Sequence, residues 1–134
     1  MKYLIIFCIL FLNLTRITVA APDKTQVMEL LEGRHWKLNV ESFQLLGDDT
    51  DKVLIEIGRD TSLINYLRFR ALDALSLFPT ENTASFLELY AENSFAPLAR
   101  RGFEALKNGF YKTQPQRVKR LAARLLKHPN AQVR

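Results

Sequence analysis

The residue types that could support catalysis or metal binding occur in this chain without the spacing that such chemistry requires. The two histidines, His35 and His128, are 93 positions apart, and neither has a cysteine or a paired carboxylate at ligand spacing. The stretch DDTD, residues 48–51, has three carboxylates but lacks the glycine at position 6 and the glutamate at position 12 of a calcium-binding loop. Capping of the following helix explains these acids better.

The sequence also contains no glycine-rich phosphate loop, no nucleophile elbow and no cysteine arranged as a nucleophile. We therefore predict that the protein is not an enzyme and that it uses no metal and no cofactor.

A second pattern points to electrostatic binding. Basic side chains near the C-terminus step by three, four and three residues, so they share one face of a helix, while apolar residues occupy another. Such a face would suit an anionic partner, and a solvated helix face that binds nothing is the alternative. We assign the candidate binding surface to Arg117, Lys119, Arg120, Arg124 and Lys127.

The formal net charge of +5 hides an asymmetry along the chain. Residues 21–96 contain 7 basic and 13 acidic side chains, whereas residues 97–134 contain 10 basic and 1 acidic. A split of this kind indicates an anionic partner or head-to-tail association, unless the charges only solvate helix faces.

The elements that must position these residues are helices. Nearly every segment after residue 22 has a helical apolar period, and no alternating strand pattern of useful length occurs, which predicts an all-α fold. The strongest helix carries its apolar residues at 64, 67, 71, 72, 75 and 78. Asn39 is a predicted N-cap, Gly33 and Gly47 are predicted helix stops, and Trp36 and Leu38 are predicted core anchors.

The sequence of one predicted helix occurs almost twice. YLRFRALDAL, residues 66–75, returns thirty-one residues later as PLARRGFEAL, residues 97–106. A repeat of thirty-odd residues predicts a solenoid in which each helix hairpin buries its face on the next, although an ordinary helical bundle is the alternative. Gly102 inside the second copy predicts a close approach of two helices, since glycine costs stability there.

Three segments, LIEIGRDTSLINYLRFRALDAL, LELYAENSFAPLARRGFEAL and LLKHPNAQVR, resemble HEAT repeats over about residues 48 to 134. The resemblance implies a short right-handed α-solenoid of antiparallel helix hairpins, with about 2.5 repeats. It also implies a ladder of hydrogen bonds between a turn residue and an arginine. Asn93 and His128 stand where the family commonly has an acid. The implied ladder pairs Asp60 with Arg68 or Arg70, Asn93 with Arg100 or Arg101, and Asn130 with Arg134.

The first twenty residues have the organisation of a secretory signal peptide. Lys2 precedes an apolar run of twelve residues, and Thr18 and Ala20 fit the −3 and −1 positions of a cleavage site after Ala20. An uncleaved anchor is the alternative, but a bilayer span needs roughly twenty residues. Cys8, the only cysteine, would leave with this segment. We expect a periplasmic or secreted protein without a disulfide.

The domain plan that follows has four parts after the signal peptide at 1–20: an N-terminal helical cap at 21–47, repeats at 48–78 and 80–111, and an incomplete repeat at 114–134. Because the third repeat stops early, we expect the stripe of Val118, Leu121 and Leu125 to be only partly covered. That open C-terminal end predicts self-association, cover by a partner, or a remnant of a longer protein.

The predicted function is a non-catalytic protein–protein interaction module or scaffold of the cell envelope. Its predicted partner is another protein, acidic by the charge argument. The alternatives are a truncated remnant of a longer HEAT-repeat protein and a peripheral membrane protein held on anionic lipid by its basic C-terminal helix. Nucleic acid is disfavoured, because export would take the protein out of the cytoplasm.

Overall fold

A computed structural model describes residues 20–134, and within this range the chain forms helices and no strand, which confirms the predicted all-α class. Apart from Ala20, the predicted signal peptide lies outside the described residues. No helix in residues 20–134 combines the length and the hydropathy that crossing a bilayer requires. The helices are α1 (Lys24–Leu31), α2 (Val40–Leu45), α3 (Thr50–Arg59), α4 (Asn65–Leu75), α5 (Glu81–Ala91), α6 (Ala96–Phe110) and α7 (Pro115–Leu125).

The ends of the first two helices follow the sequence signals. The Asn39 side chain accepts a hydrogen bond of 3.1 Å from the backbone N–H of Ser42 and so caps α2. Gly33 and Gly47 follow α1 and α2 with φ of 105° and 87°, a backbone region that favours glycine. These three predictions are confirmed.

The acids at residues 48–51 were expected to cap α3, but none of their side chains makes a capping hydrogen bond to this helix. Asp49 holds the N-cap position of α3, but its side chain makes no capping hydrogen bond and pairs with Lys52 at 2.7 Å. Asp51 lies buried in the first turn of α3, where its Oδ2 accepts the Thr80 hydroxyl at 2.7 Å. The acids therefore lie at the start of α3 without capping it, and Asp51 links α3 to the start of α5 through the hydrogen bond from Thr80.

The helices pack in the order in which they occur along the chain. Helix α3 packs on α4, α5 packs on α6, and the two pairs meet through α3–α5 and α4–α6 contacts. Helix α1 packs on α2, α3 and α4, while α7 packs on α6. One apolar core runs from Val27 to Leu125 through all of these contacts. The α1–α2 region and α7 thus occupy the two ends of the packing order.

Gly102 marks a close crossing of α6 and α5, as predicted. A Cβ atom placed there would lie 2.7 Å from the backbone nitrogen of Ala91 and 3.0 Å from the carbonyl oxygen of Leu87. Backbone atoms cannot yield as flexible side chains do, so a larger residue would push the two helices apart. The α5–α6 pair is therefore held at a separation that only glycine allows at this position.

The predicted apolar stripe of α4 is buried along the helix, partly buried at Phe78 after its end and exposed at its start. Leu67, Ala71, Leu72 and Leu75 are buried in the core, but Ile64 is exposed because it occupies the N-cap position before the first helical turn. Trp36 and Leu38 are half-buried against the core, and the Trp36 Nε1 donates to the Leu30 carbonyl at 2.8 Å.

The expectation of an open C-terminal end is wrong. Val118, Leu121 and Leu125 are all buried, because α7 packs on α6 and the residues after α7 turn back onto the molecule. The Asn130 side chain donates to the Ser94 carbonyl at 2.9 Å, and Val133 packs against the core in the same small cavity as Leu125. This stripe is therefore not available for self-association.

Candidate protein-interaction surface on helix α7

The basic side chains of α7 and its C-terminal turn divide between two edges of the helix. Arg117 and Arg124 lie on the edge that meets α5, and we call them the paired edge. Lys119, Arg120 and Lys127 are exposed and, together with the exposed Leu126, form what we call the open basic face. Pro115 lies in the first turn of α7, where its fixed φ favours a helix start.

Arg117 forms a two-carboxylate clamp with α5. Its Nη1 and Nη2 donate to the two carboxylate oxygens of Glu81 at 2.8 and 2.9 Å, and its Nε donates to Glu88 Oε1 at 2.9 Å. The Arg117 side chain is only 14% exposed. Hydrogen bonds from Arg117, and then from Ser85, lower the pKa of the Glu81 carboxyl. Glu81 in turn raises the pKa of the Arg117 guanidinium, so both groups are charged in the fold.

Arg124, seven residues after Arg117, also pairs with a glutamate of the α5 region, but this pair is more exposed to solvent. Its Nε donates to Glu92 Oε1 at 2.5 Å, and the two side chains are 51% and 43% exposed. The acids at 81, 88 and 92 form one row on α5, because they are spaced by seven and four residues. Sequence analysis missed this row, although a spacing of seven residues also separates Arg117 from Arg124.

Two of the five predicted binding residues are thus engaged inside the molecule. The other three, Lys119, Arg120 and Lys127, make no ion pair and no side-chain hydrogen bond within residues 20–134. Leu126 beside them is 69% exposed. The open basic face is therefore an exposed cationic surface that also carries an apolar residue.

His128 is a structural residue in this arrangement. It is buried, with Nε2 at 3.1 Å from the Glu92 carbonyl oxygen and Nδ1 at 3.1 Å from the backbone nitrogen of Asn130. The backbone N–H donates to Nδ1, so Nε2 carries the proton that it donates to the carbonyl. Over residues 20–134, no three His, Cys, Asp or Glu side chains lie close enough together to hold a metal ion.

The arginines of the implied ladder bind carbonyl oxygens and other side chains. Arg68 Nε donates to the Gly58 carbonyl at 3.1 Å, and Arg70 donates to the carbonyls of Leu31 and Gly33 at 2.6 and 3.0 Å. Asp60 instead accepts from Lys24 Nζ at 3.5 Å. No hydrogen bond joins Asp60 to Arg68 or Arg70, because both guanidinium groups are turned to the backbone of earlier segments.

The later ladder residues are also bonded elsewhere. Arg101 pairs with Asp73 at 2.7 Å, where burial raises the pKa of the Asp73 carboxyl and Arg101 offsets part of that rise. Arg100 is exposed. Arg134 donates to the His128 carbonyl at 3.0 Å. The side chains of Asn93 and Asn130 make no hydrogen bond to an arginine within the described residues, although the backbone N–H of Arg134 donates to the Asn130 carbonyl at 3.4 Å.

The three turn residues of the implied ladder share one local structure that the sequence analysis did not anticipate. Asp60, Asn93 and Asn130 each accept a hydrogen bond from the backbone N–H two residues further on, at 3.0, 2.8 and 2.9 Å. This is the Asx-turn, in which a short side chain imitates a backbone turn. Its recurrence after α3, α5 and α7 gives the repeated sequence a repeated conformation.

Comparisons of the chain with protein-family models, with curated proteins and with solved structures find no match. The resemblance to HEAT repeats stays a prediction drawn from the residues quoted above.

Proposed function

We propose that this protein is a non-catalytic interaction module that docks an acidic protein surface on the open basic face of α7. Its scaffold is a short HEAT-like α-solenoid of helix hairpins. The packing of α3–α4 on α5–α6 and the three equivalent Asx-turns support that architecture. Solenoids of this kind use their extended faces to bind other proteins.

The observation that carries this proposal is the set of three exposed cations, Lys119, Arg120 and Lys127, on the same stretch of α7 and its C-terminal turn as the exposed Leu126. A surface cation that lacks an internal partner contributes little to stability, whereas it can steer and orient an anionic partner. The leucine supplies apolar area that a purely solvated face does not need.

The proposal includes export, which the organisation of residues 1–20 favours. Expression in a bacterium followed by fractionation tests this part. We expect the protein in the periplasm or the medium, with an intact mass that corresponds to a chain beginning at Ala21. Recovery of the uncleaved chain in the membrane fraction would contradict it.

A binding measurement with poly-L-glutamate tests the docking part, because the polymer presents carboxylates without a defined structure. We expect the double variant R120E/K127E to lose at least about tenfold in affinity. The matched control is R34E/K37E, which changes the net charge equally at the opposite end of the packing order and should bind within about twofold of the wild type. Equal losses in both variants would mean that only net charge matters and would overturn the proposal.

A membrane surface is the competing anionic partner, and the exposed Leu126 beside three cations is the observation that favours it. Insertion of an amphipathic helix is not available to α7, because its apolar residues Val118, Leu121 and Leu125 are buried in the core. We therefore expect no co-sedimentation with vesicles of phosphatidylglycerol at moderate salt. Co-sedimentation that R120E/K127E abolishes would instead favour the peripheral membrane function.

A further inference from the structure

We infer that the acidic surface that fits the open basic face is the N-terminal end of a second copy of this chain, so that copies associate head to tail. This inference rests on the proposed function and names its partner.

The N-terminal end exposes an apolar residue among acids. Leu45 at the end of α2 is 86% exposed, the largest exposure among the large hydrophobic residues described. Glu41 on the same short helix and Asp48 in the following turn are exposed and form no ion pair within residues 20–134. We call Glu41, Leu45 and Asp48 the acidic end.

The C-terminal end has the complementary composition. Leu126, with 69% exposure, is the second most exposed large hydrophobic residue described. Its charged neighbours Lys119, Arg120 and Lys127 are all basic, and residues 114–134 contain no acid. The exposed leucine at each end therefore lies in a segment whose charges have one sign: residues 39–51 contain four acids and no Lys or Arg, although Lys37 lines the same cavity as Glu41, and residues 114–134 contain basic residues and no acid.

The placement of the two ends decides how copies would join. Helix α2 packs on α1, and α7 packs on α6, at the two ends of the packing order. A contact between an acidic end and an open basic face is heterologous, so it leaves one free end of each kind on every pair. Further copies can add until a ring closes, or they form an open chain.

The molecule already contains one contact of the same chemistry. The acidic row of α5 meets the paired edge of α7 through the Glu81–Arg117, Glu88–Arg117 and Glu92–Arg124 pairs. Carboxylates on one element thus join α7 to its neighbour within the chain. The open basic face offers further cations of the same helix that pair with no acid of α5, so they are free to meet carboxylates of another copy.

Light scattering on a sizing column, over a range of protein concentrations, is the first test. At low ionic strength we expect a mass above that of the monomer that rises with concentration, and at high ionic strength we expect the monomer, because salt screens the contact. A monomer at every concentration in low salt would overturn the inference.

Two end-blocked variants make the test specific for head-to-tail joining. The first, R120Q/L126Q/K127Q, removes the leucine and two of the three cations of the open basic face, and the second, E41Q/L45Q/D48N, neutralises the acidic end. All six side chains are exposed, so we expect both variants to keep the circular dichroism spectrum and melting behaviour of the wild type. Each variant alone should be monomeric.

An equimolar mixture of the two variants should form a dimer and nothing larger. The first variant retains an acidic end and the second retains a basic face, so one native contact can form and no further copy can add. Association of either variant alone, or a mixture that stays monomeric while the wild type associates, would overturn head-to-tail joining.

The result also separates this inference from the proposed function. A monomeric wild type that still binds poly-L-glutamate through Arg120 and Lys127 would overturn the self-association and leave the docking of another acidic protein in place. A monomeric wild type that binds no acidic polymer would overturn both.

Discussion

The two edges of α7 carry the same kinds of side chain and meet different surroundings. Arg117 and Arg124 on the paired edge contact the acidic row of α5, whereas Arg120 and Lys127 on the open basic face contact no acid in the described chain. Residues seven apart lie within about 20° of each other around a helix, while residues three apart differ by about 60°. That angular difference decides which cations stabilise the fold and which remain available to a partner.

The comparison shows that helical spacing identifies a basic helix but does not identify its binding residues. The stripe predicted from the sequence treats Arg117, Arg120, Arg124 and Lys127 as one surface. The structure splits it, because the carboxylates of Glu81, Glu88 and Glu92 reach only one side. Substitutions that act on one edge at a time test this division.

The largest effect is expected from an apolar residue on the buried side of α7. Leu121→Ala should lower the free energy of unfolding by about 2–5 kcal/mol, because the side chain is fully buried and its removal leaves a cavity. Leu126→Ala, five residues further along the chain and exposed, is the matched control and should change stability by at most about 0.5 kcal/mol. Urea denaturation measures both. Similar losses would mean that Leu126 is covered in solution, as it would be in an associated form.

The next effect concerns the clamp on α5. Arg117→Ala should cost about 1.5–3 kcal/mol of unfolding free energy, since it removes hydrogen bonds to two carboxylates and leaves the half-buried Glu88 without its cation. Arg120→Ala removes an equal charge from the same helix and should cost at most about 0.5 kcal/mol. Guanidinium unfolding would not serve here because its salt screens ion pairs, so urea is the denaturant of choice. Equal stability of the two variants would contradict the division into a paired edge and an open face.

Much of the fold follows from local sequence rules. Apolar periodicity predicts the buried residues of α4 and α7, Asn39 predicts the start of α2, and Gly102 predicts the α5–α6 crossing. These features depend on the residue itself and on its near neighbours along the chain. The same is true of Asp60, whose Asx-turn involves a partner only two residues away.

The candidate surface was predicted less well, because its limits depend on distant partners. Arg117 meets Glu81 and Glu88 across 36 and 29 residues, and the side on which α5 lies is not encoded in the spacing of α7. After α7 the chain turns back and Val133 packs against the core, which the sequence did not indicate, so an exposed stripe was expected where none exists. Exposed Leu126 had no sequence signal that distinguishes it from the buried Leu125 beside it.

A pH titration tests the Arg117–Glu81 contact without changing the packing of the helices. Hydrogen bonds from Arg117 lower the pKa of Glu81 from its ordinary value of 4.5, so this contact stabilises the fold above that value and the stabilisation is lost as the pH falls through the folded-state pKa. We expect the stability difference between the wild type and Arg117→Ala to be constant near neutrality and to shrink below about pH 4.5. The raised pKa of Asp73 acts with the opposite sign, but it is present in both proteins and cancels in the difference. A difference that stays constant down to the acid transition would mean that Arg117 acts through packing alone.

The smallest effect is expected from the second contact of the paired edge. Arg124→Ala should cost at most about 1 kcal/mol, because Arg124 and Glu92 are each about half exposed and water competes for both groups. A double-mutant cycle with Glu92→Ala isolates the pair, and its coupling energy should vanish at high salt, whereas the Arg117 contribution should persist because that side chain is 14% exposed. If the Arg124 coupling persisted equally, α7 would be held on α5 along its whole paired edge. If it is absent at all salt concentrations, Arg124 belongs functionally with Arg120 and Lys127, and the surface open to an acidic partner is wider than the three cations that the structure leaves unpaired.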